Sequence, residues 1–357
     1  MEQINTSKLL LDLLSRPAFF VRDGVVIQAN RAANQRLIHA GMEISPLLPN
    51  DYDAYTAFSG GCLYLTLVSA GISCGASVTR TDDMDLFQLD QQEDSAELKA
   101  LSLAAQQLRL PLQSIMAICD LLPKNNAKNM KQAGQLNQAI HQLHRIICNM
   151  SDVNRYCEGT AVHLETVDIS AVFDEAMEKL GVLAEEASRK LVFHGLSQAV
   201  LGLADREMLT RAAGNLVSNA IKFSPTGSVI EAELIFSGKQ LCFRIQDQGQ
   251  GIAQEVMANV FHRFSREPAV EDCRNGVGLG MALIRAVAAA HGGTVLIDSP
   301  KNQGTRVTMT IALRQSAQNK VRSPIRLPIG DYAGGKDTGL LELSEVLPHK
   351  LYNEEIK

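Results

Sequence analysis

The feature that most constrains this chain is a change of hydrophobic rhythm near residue 98. From there Leu98, Leu101, Ala105, Leu108, Leu112, Ile115, Cys119 and Leu122 alternate steps of three and four, the seam of a coiled coil or bundle helix. Pro123 and the Asn125-Asn126 pair end the run, since proline cannot continue a helix and asparagine favours turns. Leu136, Ile140, Leu143, Ile147 and Met150 repeat the same steps up to Glu158-Gly159. Two helices with one apolar stripe each predict an antiparallel hairpin over 91–160, and a single hairpin cannot enclose its own stripe. Two copies can, as a four-helix bundle, so a homodimer through the hairpin is expected.

The rhythm on either side is different. Over 1–90, an apolar start to Leu14 leads into AFFVRDGVVIQAN, where Asp23-Gly24 between apolar runs signals a β-hairpin. CLYLTLVSAG and ISCGASVTRT give two further strand-like runs around Gly71, before the chain turns polar at TDDMDLFQLDQQEDS. Over 161–314 strands and helices alternate. AVHLETVDIS, a helix near 171–189, KLVFHGL, AVLGLAD and a helix capped by Asp205 come first, followed by two strands ending at Gln246. A helix near 280–290, GTVLIDS and GTRVTMTIAL follow, the last expected to close the sheet of an α/β sandwich. The tail, 315–357, has scattered Pro and Gly and balanced charge, which predicts a flexible or surface-docked extension.

Composition narrows the function classes. With 46% hydrophobic and 20% charged residues, the chain is neither disordered nor collagen-like. A net charge of −5 argues against a nucleic-acid partner. The cysteines at 62, 74, 119, 148, 157, 242 and 273 show no C-x-x-C spacing, so they read as reduced core thiols of a cytoplasmic protein. The start, MEQINTSKLLLDLL, lacks the cleavable apolar block of a secretory signal. The uncharged stretch from Ala54 to Thr79 is long enough to span a bilayer, but Ser, Thr and Gly60-Gly61 break it, so no integral membrane segment is expected.

Three strings carry candidate chemistry. NLVSNAIKF holds Asn215, Asn219 and Lys222 at helical spacing, one polar face on an otherwise apolar helix. A carboxamide oxygen suits Mg²⁺ shared with phosphate oxygens, and an ammonium neutralises phosphate charge. DQGQGI, with Asp247, Gly249 and Gly251, follows the strand LCFRIQ, where a carboxylate can accept from an exocyclic amine. GVGLG sets Gly276, Gly278 and Gly280 before a helix whose N-terminal amides suit an anion. Each string alone also has a bland reading: a solvated or capping Asn pair, an Asp-x-Gly turn, a glycine-rich loop that is not the dinucleotide fingerprint.

In this order, with a lid-like stretch from Pro268 to Asn275 between the last two, the strings resemble the ATP-binding domain of sensor histidine kinases. The wider superfamily includes gyrase, the ninety-kilodalton heat-shock chaperones and mismatch-repair ATPases. NLVSNAIKF is similar to the N box, DQGQGI to the first glycine box, FHRF (261–264) to the F box and GVGLG to the second glycine box. The resemblance implies ATP and Mg²⁺ as cofactors, with Asn219 as the metal ligand, Lys222 on phosphate and Asp247 reading adenine. It further implies Gly276, Gly278 and Gly280 as lid hinge and phosphate loop, and Arg266 as a lid arginine. Asn215, Phe223, Gly249, Gly251, Ile252, Phe264 and Leu279 complete the implied ATP-binding set. Hydrolysing relatives carry Glu where this chain has Asn215, and an amide cannot take a proton from water at neutral pH, so ATP hydrolysis is not expected. His291-Gly292-Gly293 also resembles the kinases, and residues 1–90 resemble a shortened PAS sensor module. The whole is then a multi-domain α+β chain, with a PAS-like α/β sensor, a dimeric helical hairpin and an α/β-sandwich ATP-binding domain.

One string departs from the pattern. Where the family has His-Glu-Leu-Arg-x-Pro-Leu, this chain has QQLRLPL: Leu108, Arg109, Pro111 and Leu112 match, but Gln106 holds the acceptor position and Gln107 the acidic one. Gln106 lies off the Leu98 to Leu122 seam, as an acceptor should, yet a carboxamide is neither nucleophile nor base. No catalytic residue is assigned, and His141 and His144 on the second arm are expected on a solvated bundle surface. The sequence therefore predicts a histidine-kinase-like signalling protein that binds Mg-ATP without the usual histidine autophosphorylation. Two other readings stay open: an active kinase with another acceptor, in this chain or a partner, and a non-catalytic ATP-dependent switch or scaffold. A response regulator or another signalling protein is the partner that the resemblance implies.

Overall fold

The computed structural model describes residues 16–80, 84–90, 127–157, 162–237, 240–252, 279–299, 303–314 and 337–352, with Leu11, Leu14, Ile115 and Met257 besides. The remainder of the first hairpin arm, the QQLRLPL string, FHRF and the stretch 268–278 lie outside the described residues.

Strands β1 (Ala18–Arg22) and β2 (Val25–Ala29) form the hairpin signalled by Asp23-Gly24, both turn residues having positive φ. Asn30 caps α1 (Arg31–Gln35): its Oδ1 accepts from the amides of Ala33 and Ala18, at 2.9 and 3.1 Å. Its amide nitrogen donates to the carbonyls of Leu11, Leu14 and Arg16, so one buried side chain ties the chain start to the helix. Helix α2 (Tyr52–Ala57), β3 (Cys62–Ser69), β4 (Ile72–Arg80) and β5 (Asp85–Leu89) complete an antiparallel unit ordered β2-β1-β5-β4-β3. Phe19 and Phe87 stack at 4.9 Å in its core. The uncharged stretch that could have spanned a bilayer is thus the end of α2 and the β3-β4 hairpin. Among the described residues no helix is long and apolar enough to cross a membrane.

Helix α3 (Ala127–Cys157) is the second hairpin arm, followed by β6 (Glu165–Asp168) and α4 (Ile169–Glu186), the latter capped by Asp168. Next come β7 (Lys190–His194), β8 (Leu201–Ala204), α5 (Arg206–Phe223), β9 (Val229–Ser237) and β10 (Gln240–Gln246). Helix α6 (Gly280–Ala290), β11 (Val295–Asp298), β12 (Arg306–Ala312), α7 (Thr338–Glu342) and a 3₁₀ turn at His349–Tyr352 end the described chain. Helices α4, α5 and α6 bury their apolar faces in a core shared with β9, β10, β11 and β12, each buried Leu, Ile or Phe contributing about 1.5–3 kcal/mol.

Two expectations need correction. GTRVTMTIAL does not close the sheet: β12 lies inside it, between β11 and β10, in the order β11-β12-β10-β9-β7. The outer edge of β11 pairs instead with β3, Val295 opposite Tyr64 and Ile297 opposite Cys62, so both halves share one ten-stranded sheet. Gly61 makes the join: a Cβ there would lie 2.1 Å from the Ile297 carbonyl oxygen. Beside it, Arg285 of α6 donates to Asp90 at 3.0 Å and sits over the Tyr64 ring.

Helix α3 presents two faces. Of the predicted stripe, Ile140 and Ile147 are buried in the single chain, while Leu136 and Leu143 are 41% and 50% exposed. A covered face runs beside it through Asn137, His141, His144, Arg145, Cys148 and Asp152. The second correction lies on that face: His141 and His144 are buried, not solvated. The cause is the tail, whose Leu340, Leu341, Leu343, Leu347 and Tyr352 are buried, with α7 and the final turn packed on α3. His141 meets the Tyr352 ring edge-on at 5.0 Å. Of the two expectations for the tail, docking describes residues 337–352.

Candidate functional site

The site grows around α5. Asp205 caps this helix by accepting from the Met208 amide at 3.1 Å. The Asp205 amide donates to His291 Nε2 at 3.0 Å, and His291 Nδ1 bonds the Val287 carbonyl at 2.8 Å. His291 is therefore a neutral imidazole, and burial holds its pKa below the usual value. This bond locks the end of α6 to the start of α5.

Asn215, Asn219 and Lys222 share one face of α5 as their spacing predicted, Asn215 fully buried and the other two partly so. Gly280, the first residue of α6, abuts them: a Cβ there would lie 3.2 Å from Asn215 Oδ1 and 3.8 Å from Asn219 Nδ2. Asn219 Nδ2 faces the Met281 sulfur at 3.7 Å, and its amide oxygen accepts no hydrogen bond among the described residues. Leu279 is buried just before the helix.

The other string meets the far end of α5. Asp247 is buried at the end of β10, and its Oδ1 accepts from the amides of Gly249 at 2.8 Å and Thr305 at 3.0 Å. Its second oxygen receives no hydrogen bond from a described residue. Burial pushes the Asp247 pKa above the usual carboxylate value, and the two amide bonds offset part of that rise. Gly249 is required by close approach, because a Cβ would lie 2.6 Å from the Phe223 carbonyl oxygen. Gly251 has φ +80°, and the Ile252 amide donates to Ser299 Oγ at 2.7 Å. Gln106, Gln107, Phe264, Arg266, Gly276 and Gly278 lie outside the described residues.

Several residues at this face were not anticipated. Asn215 Nδ2 donates to Glu342 Oε2 of the tail, and its Oδ1 accepts from Arg145 Nη2 of α3, both at 3.0 Å. Glu342, 2% exposed, also pairs with Arg145 Nε at 3.2 Å and Arg211 Nε at 3.4 Å. Arg211 further donates to Asp152 and, at 2.7 Å, to Asn149 Oδ1. Glu345 reaches Lys222 Nζ at 3.1 Å and Arg145 Nη1 at 3.5 Å. Buried charges persist where opposite charges and hydrogen bonds surround them, as here. Arg211 carried a signal, since it stands one helical turn before Asn215 on the same face; Glu342 carried none.

A Mg²⁺ ion held chiefly by nucleotide oxygens fits this donor set. Among the described residues no group of three or more His, Cys, Asp or Glu could hold a metal alone, and none donates to the Asn219 amide oxygen.

An α/β sandwich that gathers Asn215, Asn219, Asp247 and Gly280 around one helix defines a class, and part of the chain matches a family model. Residues 204–315 match the histidine kinase-, DNA gyrase B-, and HSP90-like ATPase family. The chain therefore carries a histidine-kinase-like ATPase domain, and its relatives are named as sensor proteins and sensor histidine kinases. The heme sensor protein HssS of Staphylococcus saprophyticus is 27% identical over 252 residues, covering 65% of this chain and 52% of that protein. The sensor-like histidine kinase SenX3 of Mycobacterium bovis is 36% identical over 152 residues, 42% of this chain and 36% of that one. The sensor protein KdpD of Clostridium acetobutylicum is 27% identical over 60% of this chain, which spans 25% of its length. Against these three relatives the chain spans from a quarter to about half of their length. Among solved structures, full-length ShkA in complex with AMPPNP superposes with a TM-score of 0.50 at 22% identity, over 62% of this chain and 47% of that one. That likeness concerns the fold.

Proposed function

We propose that this chain is a histidine-kinase-like signal-transduction protein that binds Mg-ATP and does not phosphorylate itself at position 106. The observation that carries the reading is Asp247: a buried carboxylate fixed through one oxygen by two backbone amides, with its other oxygen available to an exocyclic amine. In this reading Asp247 selects adenine, Lys222 contacts phosphate, and Asn219 lends its oxygen to Mg²⁺, which neutralises phosphate charge when bound. Asn215, Phe223, Gly249, Gly251, Ile252, Leu279 and Gly280 belong to the same ATP-binding set, to which the resemblance also assigns Phe264, Arg266, Gly276 and Gly278. Asn215 offers no base for water, so nucleotide occupancy rather than turnover is the output.

The domain layout that accompanies this function is a PAS-like sensor over 1–90, a dimerising hairpin over 91–160, the ATP-binding domain over 161–314 and the tail over 315–357. The five-stranded antiparallel unit and its Asn30-capped helix support the PAS-like part. The reading includes a cytoplasmic homodimer that addresses a response regulator or another signalling protein, and the relatives' names as sensors support its signalling role.

The test is incubation with γ-labelled Mg-ATP beside a Gln106→His/Gln107→Glu variant. The native chain is expected to bind nucleotide and retain no label after denaturation. In the variant, the introduced imidazole attacks the γ-phosphorus and ADP leaves, giving an acid-labile phosphoramidate. Acid-labile label on the native chain would instead establish a kinase with another acceptor.

A further inference from the structure

The tail segment 337–352 binds the polar face of α5 through charge. Glu342 and Glu345 place their carboxylates among Arg145, Arg211, Asn215 and Lys222. Two of these, Asn215 and Lys222, belong to the set proposed above to meet nucleotide. A carboxylate in an arginine and lysine cradle presents the same chemistry as a phosphate oxygen: anionic, acceptor-only and matched to guanidinium geometry. We propose that segment 337–352 is an intramolecular occupant of the nucleotide-phosphate face, and that Mg-ATP and this segment exclude each other. The proposal rests on the ATP-site reading.

Charge bookkeeping at the face supports competition. With the segment in place, Lys222 is paired with Glu345, and Glu342 holds the Asn215 amide. A triphosphate arriving beside them would put further negative charge against two carboxylates, and like charges repel strongly where water is scarce. If the segment leaves, Arg145 loses two carboxylate partners and Arg211 and Lys222 one each, so all three can face an incoming anion. The contact to α3 is also built for exchange. Asn137 Nδ2 donates to the Tyr352 carbonyl, Gln138 Nε2 to those of Ser344 and Leu347, and Gln142 Nε2 to that of Ser344. Side-chain amides bonding backbone carbonyls can trade them for water at small net cost. The apolar part, Leu340, Leu341, Leu343, Leu347 and Tyr352, favours the docked state. Docking and nucleotide binding are then linked reciprocally: whatever factor the segment costs nucleotide affinity, nucleotide costs segment docking.

The experiment titrates Mg-AMPPNP into the full chain and into Glu345→Gln and Glu342→Gln/Glu345→Gln variants, with hydrogen exchange of residues 337–352 measured in the native chain with and without the analogue. The double variant is expected to bind at least tenfold more tightly than the native chain, and saturating analogue to accelerate exchange across 337–352. Should the double variant not fold, Glu345→Gln alone, at the more accessible carboxylate, is expected to bind about threefold more tightly. Binding by the native chain that none of the folded variants strengthens, with unchanged exchange in the tail, would overturn the competition and leave the ATP site standing. Absence of binding in all of them at millimolar analogue would overturn the ATP-site reading and the competition with it.

Discussion

The site has two ends along α5, one at the C-terminus of the helix and one at its middle, and they are held by different physics. At its C-terminal end Asp247 is fixed by backbone amides from its own strand turn and from the start of β12, all within the sandwich. Along its middle, Asn215 and Arg211 are fixed by side chains from α3 and from a tail more than a hundred residues away. Backbone amides cannot be removed without unfolding the sheet, so the Asp247 end is built into the fold. Side-chain ion pairs from remote segments can come and go, so the Asn215 end depends on where those segments sit. A site with one fixed end and one contingent end can hold specificity constant while occupancy is regulated.

The largest effect that would test this contrast is at the contingent end. Arg211→Ala removes the buried ion pairs that this guanidinium makes with Asp152 and Glu342, leaving Arg145 as the arginine still paired with Glu342, and should cost about 3–5 kcal/mol in a denaturant titration. A cost near zero would mean that the ion pairs hold nothing together. At the fixed end, Gly249→Ala drives a methyl into the Phe223 carbonyl, and about 1–3 kcal/mol is expected by the same titration. Asp247→Asn is the sharper probe, because it keeps an acceptor for both amides while removing a buried charge. Stability at pH 7 should stay level or rise, whereas AMPPNP affinity should fall at least tenfold; a parallel loss of both would make Asp247 purely structural.

Two pH dependences refine the picture, and their signs are opposite. The folded Asp247 carboxyl titrates above 3.8, so the native state keeps a proton that the unfolded chain has lost. Stability from this group is greatest below 3.8 and declines as pH rises through the folded value, a slope that Asp247→Asn should abolish. Folded His291 titrates below 6.5, so the unfolded chain binds the extra proton. Its contribution is full above 6.5 and fades as pH falls toward the folded value, and thermal melts between pH 7 and 5 should show a weaker decline in His291→Gln.

Local chemistry was legible in the sequence, and long-range partnership was not. The Asp23-Gly24 turn, the Asp205 cap, the helix from Gly280 to Ala290 and the shared face of Asn215, Asn219 and Lys222 all follow from residues a few positions apart. The pairing of β3 with β11 does not, because any apolar strand reads alike whichever edge it meets. The burial of His141 and His144 escaped the sequence for a related reason: the covering partner of their face is a distant tail rich in carbonyls and carboxylates, which no local pattern on α3 marks. Glu342 sits in LLELSEVL, where an acid between leucines looks like the wet side of a short helix.

The β3-β11 pairing also sets an order of events during synthesis. Tyr64 is translated more than two hundred residues before Val295, which at about 5–20 residues per second leaves β3 waiting for roughly 10–50 s. Through that interval CLYLTLVS, eight residues without charge or proline, presents an open strand edge to whatever strand comes near. The nascent chain is thus most exposed to aggregation before its ATPase half exists, and a holdase that covers β3 should raise the yield of folded protein more than one acting after residue 298 has emerged.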